Sequence, residues 1–256
     1  MFLAIDIGNT NTVIGVYHEK ELINNWRLAS KNARTVDEYW IVTKLFCDNA
    51  GIDVSKIDGA IMGSVVPDLT QNYQQMVSQY FHRESIVVND KINLGFALKV
   101  EVPSSVGADR ICNVAAARVQ YPLPAVVVDL GTATTFDVID EGGDYIGGAI
   151  SPGIYTASSE LTRKAAKLSK IDLKNPLHYI GKTTEEHLLT GIFTGHIAMI
   201  EGLISRMQQE YGKELTVIAT GGLSQEIADH CSLIRVADKN LTLEGLRILY
   251  EFNTEQ

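Results

Sequence analysis

Short apolar runs that end in acidic turns organise the chain. Phe2 to Ile5 is apolar and closes on Asp6, the turn Gly8-Asn9-Thr10 follows, and Val13, Ile14, Val16 and Tyr17 resume a β-branched and aromatic pattern. That succession predicts strand, turn, strand, and Glu21 to Leu28 predicts a third strand of the same meander. Thr35 and Glu38 then form a capping-box pattern before Tyr39, Trp40, Leu45 and Phe46, which fall at helical spacing. The whole order returns later: Ala125 to Val128, Asp129, Gly131-Thr132, then Thr134, Thr135, Phe136, Val138 and Ile139, with Tyr145 to Ile150 as the third strand. Ser151-Pro152-Gly153 breaks that strand ahead of a helix expected to run to about Leu168.

Between the copies, Gly59 to Ser64 and Ser85 to Val88 predict strands flanking a helix from about Pro67 to Phe81. Ser104 to Tyr121 reads as an alanine-rich helix, Thr184 to Tyr211 as long helical structure, Leu215 to Thr220 as a strand reaching Gly221-Gly222, and Thr242 to Phe252 as a closing helix. The repeated Asp-x-Gly-(Asn/Thr) pattern predicts two related α/β lobes, expected at residues 1–114 and 115–256, and no linker-like stretch separates them.

Composition narrows the function classes. The 256 residues are 45% hydrophobic and 21% charged, with no biased tract, as in a folded globular protein. The formal net charge of −9 gives a nucleic-acid backbone no basic patch to release its counterions, so nucleic acid is not an expected partner. Cys47, Cys112 and Cys231 are odd in number and lack CxxC spacing, which predicts buried free thiols instead of a disulfide framework or a zinc site. His18, His82, His178, His187, His196 and His230 form no close ligand pair, and Trp26 and Trp40 are expected in the core or at an interface. The chain enters a strand-like run at once, and no apolar stretch is expected to approach the roughly 18 residues of a membrane span, so no membrane partner and a cytoplasmic location are expected.

A turn that lets phosphate approach the backbone needs glycine beside hydroxyls or amides, and Gly8-Asn9-Thr10 and Gly131-Thr132 both qualify. Gly181-Lys182-Thr183 is not a Walker A loop, because Pro176 stands where the leading glycine of that pattern belongs. The segment after Gly8 reads as a strand, where a dinucleotide fingerprint requires a helix. Asp6 and Asp129 each close a strand at a turn, and pairing of the lobes would bring both to one cation, with Mg²⁺ as the reading from chemistry because it bridges carboxylates to substrate phosphates. Asp109 falls in the first turns of a helix, where the helix dipole and adjacent Arg110 favour its ionised form. It is a candidate to accept a proton from a hydroxyl; a helix-starting aspartate without catalysis is the commoner case.

Taken in order, DIGNTNT at Asp6 to Thr12, GADR at Gly107 to Arg110, DLGTATTFD at Asp129 to Asp137, the Pro152-Gly153 step and Gly221-Gly222 resemble the type III pantothenate kinases of bacteria. These belong to the superfamily of acetate kinase, sugar kinases, Hsp70 and actin. The resemblance runs from Phe2 to about Phe252. It implies an α/β fold of two RNase H-like lobes with mixed sheets flanked by helices, and ATP-dependent phosphorylation of pantothenate to 4'-phosphopantothenate, the first step of coenzyme A biosynthesis. It further implies that Asp6, Ile7, Gly8, Asn9, Thr10, Asn11, Thr12, Val13 and Thr132 contact ATP, and that Asp129 holds a monovalent cation, K⁺ or NH₄⁺, leaving Mg²⁺ near Asp6. Gly107, Ala108, Asp109 and Arg110 would line the acceptor pocket, with Asp109 as general base and Arg110 offering a planar fork to the pantothenate carboxylate. Thr184 would be contributed across the interface of a homodimer. The family often has tyrosine at the acceptor-site position held here by Val100, so one hydrogen-bond donor is missing. Two other readings stay open on sequence alone: a kinase of another small hydroxylated metabolite, and a catalytically silent regulatory relative, although Asp6, Asp109 and Asp129 are all intact. A chaperone-type ATPase is disfavoured, since no segment is left over for a substrate-binding domain.

Overall fold

The computed structural model describes residues 1–31, 34–165, 168–169 and 171–254. Its elements in chain order are β1 (Phe2–Ile7), β2 (Asn11–His18), β3 (Glu21–Ala29), α1 (Val36–Asn49), β4 (Gly59–Ser64), α2 (Pro67–Met76), β5 (Ser85–Val87) and α3 (Ala108–Gln120). They continue with β6 (Ala125–Leu130), β7 (Ala133–Ile139), β8 (Tyr145–Pro152), α4 (Ile154–Lys164), α5 (Thr184–Leu189), α6 (Gly195–Tyr211), β9 (Thr216–Thr220), α7 (Ser224–Ala228), β10 (Val236–Ala237) and α8 (Leu241–Thr254). Two compact units result, one of Met1–Gln120 with Asn240–Gln256 and one of Tyr121–Lys239.

The first unit holds a five-stranded sheet of order β3-β2-β1-β4-β5, in which β1 pairs antiparallel with β2 and parallel with β4. Strand alternation divides the core between its faces. Leu3, Ile5 and Ile7 pack with residues of α1 and α2 such as Tyr39, Tyr73 and Met76, whereas Phe2 and Ala4 pack with Ile111, Cys112, Leu246 and Leu249 of α3 and α8. Thr35 caps α1 as its pattern predicts: its hydroxyl accepts from the Glu38 amide, and the Glu38 carboxylate accepts from the Thr35 amide. The helix expected from Pro67 to Phe81 is α-helical to Met76, with a π-helical turn over Val77–Phe81 that ends at left-handed His82.

The second unit repeats the arrangement: β8-β7-β6-β9-β10, with β6 antiparallel to β7 and parallel to β9. Its core gathers Val126, Val128 and Phe136 from the sheet with Phe193, Ile197, Ile200 and Ile204 from the helical run beneath. This equivalence is the duplication that the repeated Asp-x-Gly pattern implied, and two mixed sheets flanked by helices are the expected α/β architecture.

Three differences from the sequence reading have physical causes. The helix expected from Ser104 begins at Ala108, because Pro103–Ser105 closes a separate 3₁₀ turn first. The helix after Gly153 stops at Lys164; the expected continuation toward Leu168 falls partly outside the described residues. The closing helix α8 lies in the first unit, packed on α3, β1 and β4, although it follows the second unit in sequence. Gly245 permits that packing, since a Cβ there would stand 1.9 Å from the carbonyl oxygen of Cys112. The expectation of no apolar stretch near membrane-span length meets one exception. The helical run Thr184–Tyr211 is long and apolar enough by length and composition, and its inner face, including Phe193, Ile197 and Ile200, fills the core of the second unit.

Candidate functional site

In the first unit the site grows from the carboxyl end of β1. Residues 2, 4 and 6 share a face by the two-residue period of a strand, so Asp6 turns toward the α3 side, where Phe2 and Ala4 already pack. Asp6 lies opposite Gly63 of the parallel strand β4. A Cβ at Gly63 would stand 3.3 Å from the Cys112 sulfur and 3.9 Å from the Ala108 Cβ, so the missing side chain lets the start of α3 close against the strand ends. Burial pushes the Cys112 thiol well above its ordinary value, and the charges of Asp6 and Asp109 push it further the same way. Asp6 and Asp109 therefore both lie near this buried sulfur and belong to one end of the unit. A parallel strand end beside a helix N-terminus is where α/β proteins collect anionic ligands.

Asp109 sits in the first turn of α3. Its Oδ1 accepts the Arg110 amide at 2.8 Å, which satisfies one of the donors that a helix start leaves open. Gly107 makes room for this: a Cβ there would lie 2.5 Å from Asp109 Oδ1. Asp109 and Arg110 are both partly buried, and Ala108 is buried. Val100 is partly buried in the irregular stretch between β5 and α3. That stretch encloses an open cavity of about 520 Å³ lined by Asp90, Ile92, Leu94, Phe96, Leu98 and Pro103 among others.

The hairpin from β1 to β2 carries the first glycine turn. The Gly8 amide donates to the Asn11 carbonyl at 3.0 Å, and Asn9, Thr10 and Asn11 are exposed on the turn. Two residues of the expected ATP-contacting set face inward. The Ile7 side chain is in the core and Thr12 is 1% exposed, its hydroxyl 3.0 Å from that of Ser30. Val13 is partly buried and packs with the cluster beneath α3.

The second unit holds the other turn, one residue tighter. The Gly131 amide donates to the Ala133 carbonyl at 3.0 Å, leaving Gly131 and Thr132 exposed at its tip. Two segments distant in sequence converge on it. The Thr132 carbonyl accepts from the Gly153 amide at 3.0 Å and from the Thr156 hydroxyl at 2.7 Å. A Cβ at Gly153 would stand 2.3 Å from the Gly131 carbonyl oxygen. Gly221, at φ +91°, lies so close that a Cβ would meet Asp129 Oδ1 and the Leu130 carbonyl oxygen at 2.7 Å each. The carboxylate of Asp129 thus rests in a cradle of backbone that only glycine leaves open. Thr184 is exposed as the first residue of α5, after Thr183, whose hydroxyl caps the helix in a box with Glu186.

Sequence reasoning gave Pro152-Gly153 as a strand break and Gly221-Gly222 as a motif without a role; Gly153 and Gly221 here serve close backbone approach to the Asp129 turn. It missed Gly63, which carries no local signal, and Thr156, which looks like an ordinary helix residue. The three cysteines are buried and free, as expected. His196 is buried with Nε2 3.0 Å from the Thr134 hydroxyl, and burial lowers its pKa, so it is a neutral core imidazole. Among the described residues no three His, Cys, Asp or Glu side chains gather into a metal-binding cluster.

The family model described as type III pantothenate kinase matches residues 2–206. A type III pantothenate kinase of Exiguobacterium sibiricum is 44% identical over 253 residues, covering 99% of this chain and 100% of the relative. Among solved structures, a Baf family protein from Campylobacter jejuni is similar over 100% of both chains, with a TM-score of 0.64 and 20% identity. The ROK hexokinase of Thermus thermophilus is similar over 97% of both, with a TM-score of 0.52 and 12% identity. These two likenesses speak to the fold, which is that of the sugar kinases and their actin-like relatives.

Proposed function

Since the chain belongs to the type III pantothenate kinase family, we propose that it transfers the γ-phosphoryl group of ATP to the primary hydroxyl of pantothenate, giving 4'-phosphopantothenate and ADP. What carries the reading beyond family membership is that Asp6, opposite Gly63 at the strand end, and Asp109, in the first turn of α3, both lie near the buried thiol of Cys112. A carboxylate at a strand end and another at a helix start then share one end of the first unit.

Phosphoryl transfer asks for alignment and charge stabilisation more than covalent help from the protein. Asp109 orients the acceptor hydroxyl and takes its proton as the oxygen bonds to phosphorus and the bond to the ADP oxygen breaks. Its carboxylate keeps one oxygen on the Arg110 amide, so the other is available to the alcohol. Arg110 meets the pantothenate carboxylate through its planar fork. The exposed turn Gly8-Asn9-Thr10-Asn11 offers backbone amides and hydroxyls to ATP phosphates, with the Ile7, Thr12 and Val13 side chains beneath it, and Gly131-Thr132 is a turn of the same donor chemistry within its own unit.

The donor set suits the ions that such chemistry uses. Mg²⁺ keeps much of its water and takes one or two carboxylates plus phosphate oxygens, a role the Asp6 carboxylate would fill. The glycine-walled cradle of Asp129, with the Leu130 carbonyl oxygen against Gly221, offers the hard oxygens that K⁺ or NH₄⁺ accepts. Bound there, a monovalent cation would supply positive charge beside the second turn. Exposed Leu177, Tyr179 and Ile180, at 94%, 73% and 86% exposure and just ahead of Thr184, support a homodimer in which Thr184 reaches the partner's acceptor site. A cytoplasmic location is part of the same proposal.

The deciding experiment is an ADP-release assay over a panel of hydroxylated acceptors, run in sodium and in potassium buffer. Turnover with pantothenate well above the other acceptors, a phosphorylated product by mass spectrometry and a rise in potassium are expected. Turnover with a sugar instead would move the protein to another acceptor class. Indifference to the monovalent ion would remove Asp129 from its role, and a monomer by sedimentation would remove Thr184.

A further inference from the structure

Arg34, just after the described end of β3 and just before the cap of α1, stands where the first hairpin turn is stitched to the rest of its unit. The Ser30 amide donates to the Thr10 carbonyl at 2.9 Å, and the Ser30 and Thr12 hydroxyls are 3.0 Å apart. Beneath this seam lie two polar atoms that the fold leaves unsatisfied. Arg34 Nη1 and the Tyr73 hydroxyl are both enclosed, and neither has a hydrogen-bond partner among the described residues. Tyr73 is 0% exposed, and the Thr12 side chain acts on its hydroxyl without a geometry that satisfies it. The charge of Arg34 acts on Tyr73 and on Tyr39, whose ring centre is 4.3 Å from that of Tyr73, so the two unsatisfied groups are neighbours.

The nearby acids do not answer the guanidinium. Glu38 is committed to the Thr35 amide at 2.7 Å and to the Thr35 hydroxyl, and Asp37 to the Tyr80 hydroxyl. A guanidinium nitrogen kept dry without an acceptor is costly, because it has lost water and gained nothing. Such a cost is tolerated where a ligand supplies the missing acceptor, and a guanidinium fork matches phosphate oxygens.

We propose that Arg34, backed by the Tyr73 hydroxyl, is a nucleotide-positioning residue that donates to a phosphoryl oxygen of ATP held on the Gly8-Asn9-Thr10 turn. The proposal rests on the reading of that turn as a phosphate-binding loop. It adds a cationic side chain to a turn whose other donors are amides and hydroxyls. The Ser30 seam gives Arg34 a second effect, since a phosphate held by both the arginine and the turn would hold the β2–β3 end in place.

Titration calorimetry with Mg·ATP and with adenosine, on wild type and Arg34→Gln, tests it. Arg34→Gln is expected to weaken ATP binding by about tenfold or more, the scale of one charge-assisted hydrogen bond, and to leave adenosine binding unchanged. Arg34→Lys should recover part of the loss, and Tyr73→Phe should cost ATP a few-fold. Without ligand, the melting temperature of Arg34→Gln should stay level or rise, because an enclosed, unsatisfied guanidinium nitrogen has gone. Unchanged ATP affinity would overturn the proposal, as would equal loss for ATP and adenosine together with a lower melting temperature. A rise in KM for pantothenate alone would overturn it too, assigning Arg34 to the acceptor carboxylate. Should Arg34→Gln fail to fold, wild-type ATP affinity in both Arg34→Lys and Tyr73→Phe overturns it. Because the readout is nucleotide binding, a wild type that binds ATP but leaves pantothenate untouched would fail the proposed reaction and still decide the role of Arg34.

Discussion

At the scale of single residues, Gly107 and Asp109 form one device. A methyl group at residue 107 would stand 2.5 Å from Asp109 Oδ1, so the carboxylate keeps its place on the Arg110 amide only while glycine precedes it. Asp109→Asn preserves shape and helix start and removes the proton acceptor. Turnover is expected to fall by roughly 10² or more, the scale of general-base loss, with the ATP dissociation constant and the circular dichroism spectrum unchanged. Wild-type kcat in that variant would take Asp109 out of the reaction. A milder loss is expected for Gly107→Ala, since the carboxylate is displaced and its chemistry retained. The GADR pattern showed which residues to suspect, but the reason for its glycine appears only when the side chain of Asp109 is seen folding back.

At the scale of elements, the α3–α8 crossing shows packing overriding propensity. Alanine is the better helix former than glycine by about 1 kcal/mol, and Gly245 lies inside α8. Yet Gly245→Ala would drive a methyl group into the Cys112 carbonyl at 1.9 Å. Overpacking of this kind costs about 1–3 kcal/mol, so a lower urea midpoint is expected, measured beside Gly191→Ala, where no atom lies within 4 Å. Equal midpoints for the two variants would show that the helices can separate without cost. The longer strands and helices of both units were readable from alternation, caps and turn residues, whereas the short α7 and β10 were not. The early stop before α3 was not, because the Pro103–Ser105 turn and the helix share the same favourable composition, and hydrogen bonding alone separates them.

At the scale of the whole molecule, pH dependence gathers what burial does to many groups at once. Burial raises all three thiols, Cys47 to about 11, and it raises Tyr121 to about 12 with help from Asp238. A group raised on folding contributes stability that is complete below its unfolded value and is lost as pH rises toward its folded one. The urea midpoint is therefore expected to fall between about pH 9 and pH 11, near the range set by the free thiol and Cys47. A midpoint that holds or rises across that window would mean the thiols are not enclosed as the fold has them.

What the sequence determined by itself was the duplication, the order of strands and helices within each copy, and the family, because those depend on local periodicity and on short motifs read in succession. What tertiary structure alone decided was which distant residues meet. It joined α8 to the first unit, brought Gly153, Thr156 and Gly221 onto the Asp129 turn, set Asp6 and Asp109 near the buried Cys112 sulfur, and left Arg34 Nη1 near Tyr73 with no acceptor among the described residues. The physical reason is that such contacts depend on close approach in space, where a missing methyl group or an unpaired donor matters, and neither leaves a trace in the spacing of residues along the chain.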